Sequence, residues 1–224
     1  MMLGSGELDP TGERGARVRA LLAQAFERDG ALGVLTNVGT SAAFAPPADA
    51  QDYDLAWTCV VYAMIVAAEE YVPSGRIGTD DFRAFLRRTW FAAPDPDRRA
   101  NDLVALLAGP LRCYCAMYRG ELDRDAIVPA IDSLVLRFEA ALRKLARRLE
   151  LPHESAALGA LFDDRRIAAT LGADLHRFAE HTLFAHGNGL RDKIVRAAAR
   201  TGDYSVMNLN ALVLLLLRLA ATQP

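Results

Sequence analysis

Residues 176–186 read HRFAEHTLFAH, and the reading of this stretch decides what kind of molecule the chain builds. It holds three of the four histidines of the sequence, His176, His181 and His186. If they converge, the segment is a metal or nuclease centre. If they diverge, it is the end of an ordinary apolar helix. A helix turns by about 100° per residue, so positions five apart are rotated by roughly 140°. The three imidazoles therefore spread around the axis. No two stand four apart, the spacing by which one helix offers two histidines to a single metal. His176 and Glu180 share a face, but the remaining ligands would have to come from elsewhere. The Glu-x-x-His pattern of di-iron bundles does not occur in the chain. An RNA-cleaving centre of the HEPN type needs an arginine, four to six residues, then a histidine, which sets a phosphate-binding cation beside a proton shuttle. Arg177 and His181 have three residues between them. After Arg191, in LRDKIVRAAA (190–199), no histidine follows. What remains is a hydrophobic helix over 163–186, with Leu171, Leu175, Phe178 and Leu183 facing a core and a glycine stop at Gly187 and Gly189.

Outward from this helix the same periodicity recurs and strand alternation is scarce. YDLAWTCVVYAMIVAAEEYV (53–72) is apolar nearly all round and belongs at the centre of a core. TDDFRAFLRRTWF (79–91) is amphipathic, with Thr79 as its cap and Asp80 and Asp81 in its first turn. Phe82, Phe85, Leu86 and Trp90 make its apolar face. Further helices are expected over 97–119, with a bend at Pro110, and from Asp125 to about 151, with Pro129 near the start. Short ones are expected at 154–162 and 190–200, and a last one at 205–221. At the other end, Asp9 and Pro10 start a helix whose face is Val18, Leu21, Leu22, Ala25 and Phe26. The segment 29–51, rich in Gly, Ala and Pro, reads as a flexible connection with room for a short hairpin at 34–38. The expected organisation is an N-terminal helix plus connection over 1–52, followed by one all-α globular bundle over 53–224, with seven to nine helices in all.

Composition agrees. The chain has 224 residues, is 52% hydrophobic and carries a formal charge of −2, enough for one full core and without the basic excess of a nucleic-acid binder. Basic runs such as RKLARRLEL (143–151) fall on helical patterns and read as solvated faces. Cys59, Cys113 and Cys115 are odd in number, and MMLGSGELDPTGERGARV has no secretory pattern, which points to free thiols in a reducing compartment. The longest apolar run, ALVLLLLRLAA (211–221), is interrupted by Arg218 and is too short to span a bilayer. No P-loop, G-x-S-x-G or dinucleotide fingerprint occurs. FDDRR (162–166) is an acidic pair at a helix start, where the dipole favours it. These readings give no catalytic, cofactor-binding or metal residues. Arg87, Arg88 and Trp90, which close an arginine-rich turn, are the candidate partner-binding residues.

The C-terminal third carries a resemblance. RRIAATLGADLHRFAEH (165–181), the glycine break, GLRDKIVRAAA (189–199) and NLNALVLLLLRLA (208–220) resemble the end of the poxvirus Bcl-2-like proteins, vaccinia-type intracellular inhibitors of innate immune signalling. AATLG (168–172) followed by Glu180 and His181 matches the spacing in that family's central hydrophobic helix. Thr182 and Leu183 stand where the family often has an aromatic residue. The Asn-Trp-Gly-Arg signature of cellular Bcl-2 proteins is absent; GNGLRDKIV (187–195) echoes it without the tryptophan. The resemblance implies a Bcl-2-like bundle with a central hydrophobic helix, supplied by 163–186 or 53–72. It implies a non-enzymatic viral immunomodulator in the host cytoplasm, without cofactor, that binds host signalling proteins of the Toll-like-receptor and NF-κB or interferon pathways and allows a homodimer. The alternatives are an anti-apoptotic binder of pro-apoptotic helices and a HEPN-type helical RNase.

Overall fold

The computed structural model describes residues 53–94, 102–152, 156–184 and 189–224, together with Ala20 and Gln24. The expected capped start at Asp9–Pro10 and the hairpin at 34–38 lie outside the described residues. Among those described there are eight α-helices and no strand. In chain order they are α1 (Tyr53–Tyr71), α2 (Thr79–Arg87), α3 (Leu103–Tyr118), α4 (Ile127–Arg148), α5 (Leu158–Phe162), α6 (Arg165–Leu183), α7 (Leu190–Val195) and α8 (Val206–Ala221). The described residues form an all-α bundle in a single compact body.

Local chemistry sets the starts. Side chains of Asp102, Asp164 and Ser205 accept hydrogen bonds from the first amides of α3, α6 and α8, from Val104 and Ala105, from Arg166, and from Asn208. These amides have no partner inside the helix, which is why short acceptors are favoured there. At α2 the cap position is Gly78 rather than Thr79. The Gly78 amide donates to the Asp81 carboxylate at 2.8 Å. Pro129 falls in the first turn of α4, where its missing N–H removes no helical bond. α3 runs on through Pro110, which is buried.

The centre of the bundle differs from the expectation. Neither 163–186 nor 53–72 holds it alone. The C-terminal helix α8 is enclosed on nearly every side, from Asn208 to Leu217 without interruption. It packs on α1, α4 and α6, and Asn210 reaches Tyr114 of α3. Its run of leucines, with Arg218 half-buried, leaves no polar face, so only the middle of the molecule can hide it. Helix α1 lies alongside, with Val61, Met64, Ala67, Ala68 and Tyr71 almost fully buried.

The helix of the opening stretch is also not continuous. Gly172 has φ 74° and ψ 158°, which breaks α6 into two pieces. That region of conformational space is open to glycine almost alone. The second piece buries Leu175, Phe178 and Leu183, and Leu171 is buried at the end of the first, as the periodicity predicts. A Cβ at Gly172 would meet nothing within 4 Å. Gly172→Ala therefore carries a backbone penalty only, and is expected to lower stability by about 1–3 kcal/mol, read as a drop in the thermal midpoint. An unchanged midpoint would mean that the segment straightens into one helix without loss.

Candidate docking surfaces

The two described histidines, His176 and His181, are packing residues. His176 stacks on Phe162 with ring centroids 4.1 Å apart, and its Nε2 lies 3.1 Å from the Phe162 carbonyl. His181 is buried against the Trp57 ring at 5.3 Å. The Trp57 indole donates to Thr182 Oγ1 at 2.9 Å, and Thr182 Oγ1 donates to the Phe178 carbonyl at 2.8 Å. Arg177 is exposed while His181 is inside, so the two are not presented together on an open surface. His153 and His186 lie outside the described residues. Among the described residues no group of three or more His, Cys, Asp or Glu side chains is placed to hold a metal ion. The three cysteines are free; Cys115 is buried, and Cys59 and Cys113 are half-buried. No described helix is long and apolar enough to cross a membrane.

The arginine-rich turn divides into two parts. α2 ends at Arg87, and residues 88–93 fold back as successive turns, with Thr89 Oγ1 donating to the Leu86 carbonyl at 2.7 Å. This carries Trp90 and Phe91 into the core, ring to ring at 4.7 Å and nearly perpendicular. The Trp90 indole donates to the Leu219 carbonyl of α8 at 3.1 Å. Lys144, buried on α4, donates to the carbonyls of Phe91 and Ala93 at 2.8 and 2.7 Å. Trp90 is thus an internal anchor and is not placed to meet a partner. Closing the arginine-rich turn made Trp90 a partner candidate; its place on the apolar face with Phe82 and Leu86 is the feature that holds, and the 88–93 turns keep it inside with them. Arg87 and Arg88 stay exposed. Arg87 lines a shallow cleft of about 360 Å³ with Arg83, Ala92, Asp102, Val104 and Ala105.

A larger cleft, about 630 Å³, opens between the start of α4 and the segment before α8. Ile127 and Val128 form one wall; Ala199, Thr201, Gly202 and Tyr204 form the other, with Val206 and Asp125 beside them. The second wall is fastened down. Tyr204 Oη donates to Asp132 Oδ1 at 3.0 Å. Asp203 accepts from the Arg200 amide at 2.8 Å and from Lys193 Nζ at 2.6 Å. The Arg200 amide first, then Lys193, hold the Asp203 carboxyl below the usual carboxylate range. The Asn208 side chain donates to the Asp203 carbonyl at 2.8 Å. The Tyr204–Asp132 bond ties this wall to α4 and the three bonds to Asp203 hold the wall's own turn, so the cleft is preformed. Val128 is 39% exposed, and Leu136, about two turns further along α4, is 52% exposed. The sequence reading did not single out this surface. Val128 lies at the edge of the buried stripe of α4 and Leu136 opposite it, and only the tertiary arrangement sets which segment stands beside Val128.

The fold and its surfaces define a class, an all-α bundle with an apolar C-terminal helix at its centre and an open, braced cleft at one end. No protein-family model matches the chain, and no curated protein or solved structure does.

Proposed function

We propose that the protein acts by binding, as a non-enzymatic viral antagonist of the Bcl-2-like kind that docks onto host signalling proteins in the cytoplasm and restrains innate immune signalling. The observation that supports a docking role is the preformed cleft at the start of α4, which exposed Val128 lines. A concave surface with an exposed apolar side chain on a helical body is a typical mark of a protein contact site. The target pathway rests on the resemblance of residues 165–220 to the poxvirus proteins. Arg87 and Arg88, exposed at α2, offer a second contact surface.

The test is a reporter assay for NF-κB and interferon induction with the full chain expressed in stimulated cells. Wild type is expected to lower the signal. Val128→Glu is expected to restore most of it, and Arg87→Glu with Arg88→Glu part of it, at equal protein levels. Replacing His176 and His181 by Gln is expected to change little at matched expression. Full reporter activity in the presence of wild-type protein, in every pathway tried, would remove the signalling reading.

A further inference from the structure

The chemistry of the larger cleft says what it would accept. Among the described residues its lining contains a single charged one, Asp125, with apolar and small polar ones. Asp125 is exposed, as are Glu121 and Asp123 just before it. Glu121 faces Arg119 at 3.8 Å, and Asp203 on the opposite bank is matched by Lys193. Arg196 and Arg200 are exposed nearby but do not line the cleft. The Tyr204 hydroxyl is engaged by Asp132, so the ring offers its apolar face. Ile127, Val128 and Val206 complete an apolar seat next to one carboxylate.

We infer that this cleft seats a segment of a partner protein that presents an apolar side chain beside a lysine or arginine. The apolar group fills the space between Val128 and Val206, and the cation meets Asp125. Burial of the apolar anchor supplies affinity; the charge supplies register and partner choice. This deepens the binding role proposed above and does not depend on which pathway is targeted.

The experiment is a peptide-display selection on the purified full-length protein, with affinities of the enriched peptides then measured by fluorescence polarisation. Enriched peptides are expected to pair a large apolar residue with Lys or Arg within one helical turn. Val128→Glu is expected to weaken them at least about tenfold. On Asp125→Lys, the selected charge is expected to invert to Asp or Glu. Ala199→Trp, which fills the cleft from its other wall, provides an independent loss of binding if Val128→Glu fails to fold by circular dichroism. No enrichment, acidic peptides on the wild type, or equal binding by all variants would overturn the inference. So would a concentration-dependent dimer dissolved by Val128→Glu, which would assign the cleft to a second copy. Peptide binding with a silent reporter would retain the cleft and remove the signalling reading; the converse would do the opposite.

Discussion

Trp90→Ala is expected to lower the stability of the bundle by about 3–5 kcal/mol, the range for removing a large buried aromatic side chain. The indole is 7% exposed, packs edge-on against Phe91 and donates to the last turn of the central helix. The loss is mainly one of packing. The Leu219 carbonyl also accepts from the Thr222 amide and hydroxyl, so it stays satisfied when the indole is gone. Trp90→Phe, which keeps part of the ring volume, is therefore expected to cost much less. Urea denaturation gives the comparison, with the midpoint of Trp90→Ala falling well below both others. A Trp90→Ala protein with a wild-type midpoint would show that the indole does not tie the 88–93 turns to α8, and would return Trp90 to the outer surface.

Asn210→Leu is the second large effect. Asn210 is fully buried in the middle of the molecule. It accepts from Tyr114 Oη at 2.9 Å and donates to Tyr118 Oη at 2.6 Å and to the Val206 carbonyl at 2.8 Å. A leucine would fit the apolar run but leave two tyrosine hydroxyls without that partner. The two hydroxyls also bond each other, so the pair loses part of its hydrogen bonding rather than all of it, and a loss of about 1–3 kcal/mol is expected. Replacing all three residues, Asn210→Leu with Tyr114→Phe and Tyr118→Phe, is expected to recover most of it, because no polar group is then stranded. A triple variant no more stable than the single one would show that the network does more than satisfy itself.

The same tyrosines set an alkaline limit. Burial, above all, raises both hydroxyls beyond the ordinary tyrosine range. In the unfolded chain they ionise near pH 10, while in the bundle they hold their protons. Their contribution is thus complete below about pH 10 and declines as the pH rises above it, because the unfolded state alone releases protons. The urea midpoint is expected to fall between about pH 8 and about pH 11, and to fall less in the variant with Tyr114→Phe and Tyr118→Phe. An equal fall in both would place the alkaline sensitivity elsewhere.

The helices were largely legible in the sequence because their cause is local. The acidic pair of FDDRR reads as a helix start and Asp164 caps α6, whose apolar spacing marks the face that goes inward. That His176 and His181 point to different neighbours was equally legible, since it follows from helical rotation. Three other matters were not. The choice of α8 over α1 or α6 as the central helix depends on which of several apolar helices the others cover. The contacts that Trp90 makes depend on where α2 stops, set by the 88–93 turns and by Lys144 from a distant helix. The cleft at Val128 depends on what the 199–206 segment leaves uncovered. Periodicity identifies the faces that avoid water but not the neighbour that covers each one. The sequence alone therefore determined an all-α chain and its helix faces, while the tertiary structure decided which apolar faces are paired and which remain open, because that outcome belongs to the packed whole and to no single helix.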